Sequence, residues 1–258
     1  MPSDQFPPDI SSPADSTPPP PASVSEEEIA RFGSIAAQWW DPKGPMRPLH
    51  AMNPLRIGWI SHFLPLRAKK QPPLRLLDIG CGAGLASEAL ATEGHDVTGL
   101  DASGQGISAA RAHLEACPLP PGAGPLTYRT GSAEELVSKG AAFDAVVALE
   151  VIEHVTDPAA FMDLLARLTL PGGQVFISTM NRTPRAWLFA ILGAEYIARL
   201  LPTGTHDWNK FLTPAELAAA GRSAGLRMTD ISGMVPGIGG WKKSRNLNVN
   251  YITRFTKS

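Results

Sequence analysis

The sequence has few cysteines, little net charge and no long uninterrupted hydrophobic run. Its two cysteines, Cys81 and Cys117, cannot build a disulfide framework or a zinc cluster, so a reducing compartment is expected. The formal net charge is -1, so the chain has no excess of Lys and Arg of the kind that phosphate binding needs. This argues against a nucleic-acid partner. The longest apolar stretch, residues 186–201, contains Glu195 and Arg199 and is too short and too charged to span a membrane.

The N-terminal segment also lacks basic residues, since no Lys or Arg precedes Arg31. Secretory and transit leaders need early basic residues, so we expect neither kind of leader. Residues 1–24 are rich in Pro and Ser, which predicts a disordered tail because such a segment cannot offset its chain entropy by burial. With 43% hydrophobic residues overall, residues 25–258 are expected to form one domain with a sizeable core.

Helical and strand-like patterns alternate through most of this domain. Ser25 and Glu28 form a capping-box pattern ahead of a helix that reaches Trp40, and a second short helix is predicted from Pro54 to about Leu64. The predicted strands that follow are Leu74–Ile79, Asp96–Leu100, Leu126–Arg129, Phe143–Leu149 and Gln174–Thr179. The predicted helices between them are Leu85–Glu93, Gln105–Ala116, Ala133–Ser138 and Pro158–Leu168. This alternation predicts an α/β fold whose parallel sheet is covered on both faces.

The C-terminal part departs from that alternation. A helix at Pro214–Ala224 precedes two strand-like segments, Leu226–Met234 and Leu247–Phe255, with no crossover helix between them. The two segments are therefore expected to form a closing antiparallel pair.

A glycine-rich turn follows the first predicted strand. Gly80, Gly82 and Gly84 let the backbone approach a ligand at the start of the next helix. Leu85 stands where a dinucleotide fingerprint requires a small residue, and the carboxylate of Asp78 would repel a pyrophosphate. The turn therefore suits a cationic cofactor, and S-adenosylmethionine carries an ammonium and a sulfonium group.

Other residues at the ends of the predicted strands complete this cofactor site. Asp101 follows Gly80 at the spacing of an acid that accepts the two ribose hydroxyls, although it could instead cap the next helix. Residues 132–134, with Ala133 at their centre, are placed to frame an adenine ring, and Leu149 is placed to pack on its face.

Two acids and a histidine follow the fourth predicted strand. If Glu150, Glu153 and His154 lie on a helical turn, their side chains project on one face at the carboxyl edge of the sheet. They could hold a divalent metal that binds a catechol. The set is imperfect for Mg²⁺, which prefers oxygen ligands and water, and the histidine would suit Mn, Fe or Zn at least as well. Alternatively, His154 alone is a general base for a phenol, or the turn merely packs under the cofactor.

Taken together, the motifs from residue 25 to 258 resemble the ubiquinone-biosynthesis O-methyltransferase family of bacteria and mitochondria. The glycine turn and the Glu-His motif occur in many methyltransferases, whereas other segments are more specific to this family. The specific segments are Trp39-Trp40-Asp41, Asn53-Pro54-Leu55-Arg56 and Gly204-Thr205-His206-Asp207. The resemblance also includes Ser178-Thr179-Met180-Asn181-Arg182 and Val249-Asn250-Tyr251.

The resemblance implies a Rossmann-like S-adenosylmethionine-dependent methyltransferase fold, a seven-stranded, mostly parallel sheet with an antiparallel C-terminal strand. It implies O-methylation of polyprenylated phenol or quinol precursors. The cofactor contacts it implies are Arg56, Gly80, Asp101 and Leu149, with Arg56 facing the methionine carboxylate. The residues it assigns to magnesium are Glu150, Glu153 and His154.

The resemblance also implies a role for the apolar stretch at residues 186–201, which would admit the substrate, because a polyprenyl tail must enter from a bilayer. Residues 25–66 are expected to form N-terminal helices, and residues 186–210 a lid or substrate segment that includes His206. A core helix covering the sheet is the alternative for this apolar stretch. A bacterial cytoplasm with peripheral contact at the inner face of the membrane is expected, and a ubiquinone-biosynthesis complex is a further candidate partner.

Three rival functions remain at this point. A carbon methyltransferase of quinone or lipid biosynthesis would share the cofactor site, and a non-catalytic lipid-binding scaffold would share the fold. A nicotinamide dehydrogenase is disfavoured by Leu85 and Asp78.

Overall fold

The computed structural model describes residues 25–64, 72–188, 208–237 and 240–258. The strands are β1 Arg75–Ile79, β2 Asp96–Asp101, β3 Leu126–Thr130, β4 Phe143–Leu149, β5 Thr169–Met180, β6 Leu226–Gly237, β7 Gly240–Ser244 and β8 Asn250–Lys257. The longer helices are α1 Glu26–Ser34, α2 Arg47–Phe63, α3 Leu85–Thr92, α4 Gly104–Ala116, α5 Ala133–Ser138, α6 Pro158–Leu168 and α7 Pro214–Ser223.

The strands form one sheet in the order β3-β2-β1-β4-β5-β8-β6-β7. β1 to β5 are parallel, and β8 runs antiparallel between β5 and β6. The predicted α/β class and the closing antiparallel pair are thus confirmed. The sheet has one strand more than predicted, because the edge strand β7 is short and its consecutive lysines, Lys242 and Lys243, are exposed, so it has no alternating hydrophobic pattern.

The strand order reverses between β1 and β4, since β2 and β3 lie on one side of β1 whereas β4 and β5 lie on the other. In open α/β sheets, ligands bind in the crevice at the carboxyl ends of the strands at such a reversal. The residues that follow β1 and β4 are Gly80 and Glu150, so the sheet itself brings the glycine turn and the Glu-His motif together.

Both faces of the sheet are covered. α5, α6 and α7 pack on one face through side chains such as Phe161, Leu165 and Leu217. α2 and α3 pack on the other through Trp59, Ile60 and Leu90. Burial of these side chains fixes the strand ends that carry the site.

The N-terminal helices differ from the prediction. α1 ends at Ser34, and a 3-10 turn over Ala36–Gln38 replaces its predicted continuation. α2 begins at Arg47 rather than Pro54, so Pro54 lies inside the helix. An internal proline costs ~3 kcal/mol, and the buried face of this 17-residue helix offsets that cost.

Two predicted segments fall mainly outside the described residues. They are the tail at 1–24 and the lid at 186–210, of which residues 189–207, with His206, are not described. Residues 184–188 are helical, and Trp187 and Leu188 are 44% and 55% exposed. Within the described ranges, no helix is long and apolar enough to cross a membrane.

Candidate active site at the strand reversal

The glycine turn after β1 adopts a backbone that only glycine accepts easily. Gly80 and Gly82 have φ angles of 69° and 55°, in the left-handed region. A Cβ on Gly80 would lie 2.5 Å from Val151, and one on Gly82 would overlap the ring of Trp39. The turn is therefore packed between the segment after β4 and the N-terminal Trp39.

Asp101 ends β2 and holds this turn. Its Oδ2 accepts a hydrogen bond from the Gly82 N–H at 2.8 Å, and its Oδ1 accepts one from the Ser103 N–H at 2.7 Å. Burial raises the pKa of Asp101, whereas both N–H groups lower it. The cap of α4 is Ser103, whose side chain accepts from the Gly106 N–H, so the capping alternative for Asp101 is wrong.

Asp78 lies one residue before the end of β1 and is 1% exposed. Its Oδ2 accepts a hydrogen bond of 2.6 Å from the Ser87 hydroxyl in α3. Burial raises its pKa to about 6, although the Ser87 bond and the charge of Arg56 both lower it. Asp78 therefore lies in the charged cluster beneath the turn and ties β1 to α3.

Arg56 brings the positive charge of this cluster from α2 and is 3% exposed. Its Nη2 donates to Asn53 Oδ1 at 3.4 Å, and Asn53 in turn donates to the Leu85 carbonyl at 3.0 Å. Burial lowers the pKa of Arg56, whereas Glu150, Asp78 and Glu153 raise it. Its Nε has no hydrogen-bond partner among the described residues.

The Arg56 Nε–H group, which is unpaired among the described residues, indicates whether the site fits the predicted cofactor. A buried guanidinium N–H without a partner is costly, and a carboxylate is the acceptor that matches a guanidinium best. With the glycine turn and Asp101 nearby in the fold, the residues fit the methionine carboxylate and ribose of S-adenosylmethionine.

The two residues predicted to meet the adenine lie where their strands end. Leu149 is half-buried at the end of β4. Ala133 is the first residue of α5, behind the cap Ser132, and its methyl group is buried in the core beside Leu100 and Leu136. Ala133 can therefore offer a ligand its backbone at a helix start rather than its side chain.

Glu150 has a φ angle of 56°, the only positive value outside glycine in the described part of the chain. Its N–H donates to the Ser178 carbonyl at 2.9 Å, and its Oε1 accepts from the Ser178 hydroxyl at 2.6 Å. Its Oε2 accepts from Asn250 Nδ2 at 2.9 Å. Such a backbone costs of order 1–3 kcal/mol and persists because these three contacts determine it.

Glu153 lies beside Glu150 and is 6% exposed. Its Oε2 accepts a hydrogen bond of 2.9 Å from the Thr179 hydroxyl. Burial raises the pKa of Glu153 well above its usual range, and the charge of Glu150 adds to that shift. Because the charge of Glu150 acts on Glu153 and both act on Arg56, the two carboxyl groups form one acidic pair near this guanidinium.

The expectation that Glu150, Glu153 and His154 share one helical face is wrong. Ile152–His154 form a 3-10 turn, and Glu150 lies before it in its left-handed conformation. In a 3-10 turn, successive side chains are about 120° apart, so His154 points away from Glu153. Its Nδ1 lies 3.4 Å from Glu28 Oε2, and Phe32 packs edge-on against its ring at 5.2 Å.

This arrangement does not fit a metal ion held by all three predicted ligands. In the part of the chain that the structure describes, no three His, Cys, Asp or Glu side chains converge as a metal would require. Glu150 and Glu153 alone lie together, with the hydroxyls of Ser178 and Thr179 around them.

Comparison with known proteins places this geometry in a family. Residues 55–231 match the family model described as "Methyltransferase domain". The chain is 45% identical over 240 residues to the ubiquinone biosynthesis O-methyltransferase of Azorhizobium caulinodans, covering 90% of this chain and 93% of that protein. The relative in Stutzerimonas stutzeri is 44% identical over 239 residues, covering 92% and 99%. The chain belongs to the ubiquinone biosynthesis O-methyltransferase family.

A solved structure supports the fold of this family member. The crystal structure of magnesium protoporphyrin IX methyltransferase from Synechocystis PCC 6803 with bound SAH superimposes with a TM-score of 0.63. It covers 90% of this chain and 100% of that chain at 20% identity. The predicted methyltransferase fold is confirmed.

Several residues of this ubiquinone biosynthesis O-methyltransferase family member were missed as site residues, although most lie in the motifs that carry the resemblance. They are Glu28, Trp39, Trp40, Ser178, Thr179 and Asn250. Trp40, for example, donates from Nε1 to the Ala83 carbonyl at 2.9 Å and stacks on His113 at 3.4 Å. Glu28 looked like a helix cap, and its contact with His154 has no local signal.

Proposed function

We propose that this protein is an S-adenosylmethionine-dependent O-methyltransferase acting on phenolic hydroxyls of polyprenylated catechol or hydroquinone precursors in ubiquinone biosynthesis. The observation that carries the proposal is the buried Arg56 Nε, which has no hydrogen-bond partner in the described part of the chain and lies close to the glycine turn at the strand reversal. The identity to family members over nine-tenths of the chain supports the substrate class.

The cofactor supplies an electrophilic methyl group on a sulfonium sulfur. When it is bound, Arg56 would hold its carboxylate and Asp101 would accept hydrogen bonds from the ribose. Ala133 and Leu149 would border the adenine, and Gly80 and Gly82 would let the backbone approach. Asp78 supports the turn through Ser87. In-line transfer of a methyl group depends mostly on positioning of the two reacting atoms, which these contacts supply.

His154 is proposed as the base that accepts the phenolic proton. A phenol with a pKa near ~10 is mostly protonated at neutral pH, so its oxygen needs a base to become a good nucleophile. The imidazole is 20% exposed, which leaves it accessible to a substrate. Glu153 with Glu150 lines the same edge of the sheet and is proposed to contact the substrate hydroxyls.

We propose separately that Glu150 and Glu153 bind Mg²⁺ without His154. These carboxylates are oxygen donors of the kind that Mg²⁺ prefers. His154 does not fit the same ion in the described geometry, so no step of the reaction is assigned to a metal.

We also propose the surrounding organisation of the protein. It comprises a tail at residues 1–24, one methyltransferase domain at 25–258 with N-terminal helices at 25–66, and a lid at 186–210. The exposed Trp187 and Leu188 support peripheral contact with lipid at the inner face of a bacterial cytoplasmic membrane. A ubiquinone-biosynthesis complex is a further proposed partner.

The test is methyl transfer to a short-chain demethylubiquinol, with and without EDTA and then with added Mg²⁺. O-methylated product identified by mass spectrometry is expected. Loss of activity in EDTA and recovery with Mg²⁺ would support the metal, whereas full activity in EDTA would contradict it and leave the base. Product methylated on carbon would identify a carbon methyltransferase instead, and cofactor binding without any transfer would contradict the substrate class.

A further inference from the structure

Trp40 connects the N-terminal segment to the glycine turn and follows the 3-10 turn at Ala36–Gln38. Its Nε1 donates a hydrogen bond of 2.9 Å to the carbonyl of Ala83, and the same peptide group contains the N–H of Gly84. That N–H donates to the Cys81 carbonyl at 2.9 Å. Both polar atoms of this peptide group are therefore held, which fixes its plane relative to the rest of the turn.

The glycine turn needs such external contacts to keep one shape. Gly82 and Gly84 flank Ala83 and have φ angles of 55° and 91°. Because glycine has no side chain to restrict its backbone, these residues do not define the turn by steric exclusion of other conformations. Asp101 holds the N–H of Gly82, whereas Trp40 holds the carbonyl of Ala83. The shape of the turn thus depends on hydrogen bonds from two separate segments of the chain.

The indole of Trp40 is itself held by His113 in α4. The two rings stack with their centroids 3.4 Å apart and an interplanar angle of 3°. Nδ1 of His113 lies 2.9 and 3.1 Å from the two carboxylate oxygens of Glu88 in α3. Glu88 is buried and the His113 side chain is 23% exposed, so the imidazole has little freedom to turn away from the indole. His113 and Glu88 therefore orient the donor that reaches the glycine turn.

These contacts return to the turn from which they start. Glu88 lies in the helix that follows the turn, and its N–H donates to the Gly84 carbonyl at 2.9 Å. The Tyr128 hydroxyl in β3 lies 3.4 Å from the same carbonyl and 3.5 Å from Glu88 Oε1. Trp40, His113 and Glu88 therefore form a closed set of contacts around the turn. A change in one of them is expected to alter the backbone of the turn itself.

We propose that Trp40 is a positioning residue for the cofactor, which together with His113 holds the peptide between Ala83 and Gly84 in the conformation that binds S-adenosylmethionine. This inference deepens the proposed function and rests on the part of it in which the glycine turn contacts the cofactor. Both rings act through the backbone of the turn, so neither has to touch the cofactor. The effect is therefore expected on cofactor affinity rather than on the methyl-transfer step.

The first test compares Trp40→Phe with Trp59→Phe by titration calorimetry and steady-state kinetics. Trp40→Phe keeps an aromatic ring but removes the N–H donor, so the Kd and KM for S-adenosylmethionine should rise about three- to tenfold, as expected for the loss of one neutral hydrogen bond. The kcat at saturating cofactor should stay within about twofold. Trp59→Phe makes the same change in a buried indole that packs on Phe63 and Phe176. This control should lose stability without a change in Kd, KM or kcat.

A second variant, His113→Gln, tests the support of the indole and provides the test if Trp40→Phe does not fold. Gln can still hydrogen-bond to Glu88 but presents no ring to Trp40, so cofactor affinity should fall here as well. The double variant should lose less affinity than the product of the two single losses, because both residues act through one peptide group. An unchanged Kd in both single variants would overturn the proposal, and so would a loss in Trp59→Phe as large as that in Trp40→Phe.

Hydrogen–deuterium exchange of the cofactor-free protein gives a readout that is independent of binding and of the reaction. Fragments that contain residues 80–84 should exchange faster in Trp40→Phe than in the parent protein or Trp59→Phe, because the bond from the Gly84 N–H to Cys81 then loses its support. Equal exchange in the three proteins would overturn the proposal. If the parent protein binds no S-adenosylmethionine, the proposed function fails together with this inference. If the parent and Trp40→Phe bind it equally well, only this inference fails.

Discussion

Asp101 already accepts two backbone hydrogen bonds, from Gly82 and Ser103, and each of its oxygens keeps a second lone pair for a ribose hydroxyl. Asp101→Ala should therefore remove two charge-assisted bonds to the cofactor, of order 3 kcal/mol together, and weaken binding about 100-fold or more. Titration calorimetry with S-adenosylmethionine measures this. Asp96→Ala, at the opposite end of β2, is the matched control and should bind normally. Unchanged affinity in Asp101→Ala would contradict its assignment.

Single residues of the site differ in how well the sequence predicts them. Asp101 is predictable because its spacing from Gly80 follows from one strand–helix–strand unit. Arg56 needed the family resemblance, because only the fold of the chain brings α2 beneath the glycine turn. Glu28 was missed as a site residue, since its partner His154 lies far away in sequence and a local capping pattern explained it equally well.

At the scale of elements, the glycine turn offers a test of close packing against the N-terminal segment. Gly82→Ala should lower the free energy of unfolding through its positive φ and again through overlap of the new Cβ with Trp39. Gly140→Ala is the matched control, because Gly140 has a φ of 66° but open space around its Cβ position. We expect about 1 kcal/mol for Gly140→Ala and roughly 1–3 kcal/mol more for Gly82→Ala.

Urea denaturation of both variants measures this difference, and Trp39→Ala supplies the second half of the experiment. Trp39 is 7% exposed, so removing its ring costs stability by itself. In the Trp39→Ala background, Gly82→Ala should cost no more than Gly140→Ala. Equal costs of the two glycine variants in the parent protein would show that Trp39 does not restrict the turn.

Elements with strong internal patterns were predicted closely, whereas elements shaped by tertiary contacts were not. The bounds of β4, α5 and α6 agree with the prediction, because apolar periodicity and the caps Ser132 and Asp157 define them locally. The short turn at Ile152–His154 has no such signal, and its 3-10 form redirected His154. The spacing of Glu150, Glu153 and His154 alone therefore predicted the wrong face.

For the whole molecule, the alternation of strands and helices predicted a parallel sheet, and the structure adds that the strand order reverses beside the glycine turn. That reversal explains why residues from the first and fourth strands meet at one edge. It also concentrates ionisable groups in a buried region, where Asp78, Glu150 and Glu153 surround Arg56. Burial of these charged groups lowers the stability of the folded protein. Sequence spacing does not reveal this loss of stability, because it depends on how deeply the sheet is covered.

Asp78 gives this cost a measurable pH dependence. Its pKa is raised from 3.8 to about 6 in the folded protein, mainly by burial. Between these two values the native state binds more protons than the unfolded state, so the free energy of unfolding falls as pH rises. Asp78→Asn has no carboxyl group to ionise, so its free energy of unfolding does not fall for this reason. Its stability relative to the parent should therefore increase by up to about 3 kcal/mol from pH 4 to pH 7.

Urea denaturation at pH 4, 5, 6 and 7 measures the difference between the two proteins, in which the contributions of other titrating groups largely cancel. Ser87→Ala is the complementary variant, because the Ser87 hydroxyl bond lowers the pKa of Asp78 and its loss should steepen the dependence. A difference between Asp78→Asn and the parent that is constant with pH would mean that Asp78 keeps an ordinary pKa in the fold. Burial of Asp78 beside Arg56 would then carry no electrostatic penalty, because the guanidinium would fully compensate the carboxylate.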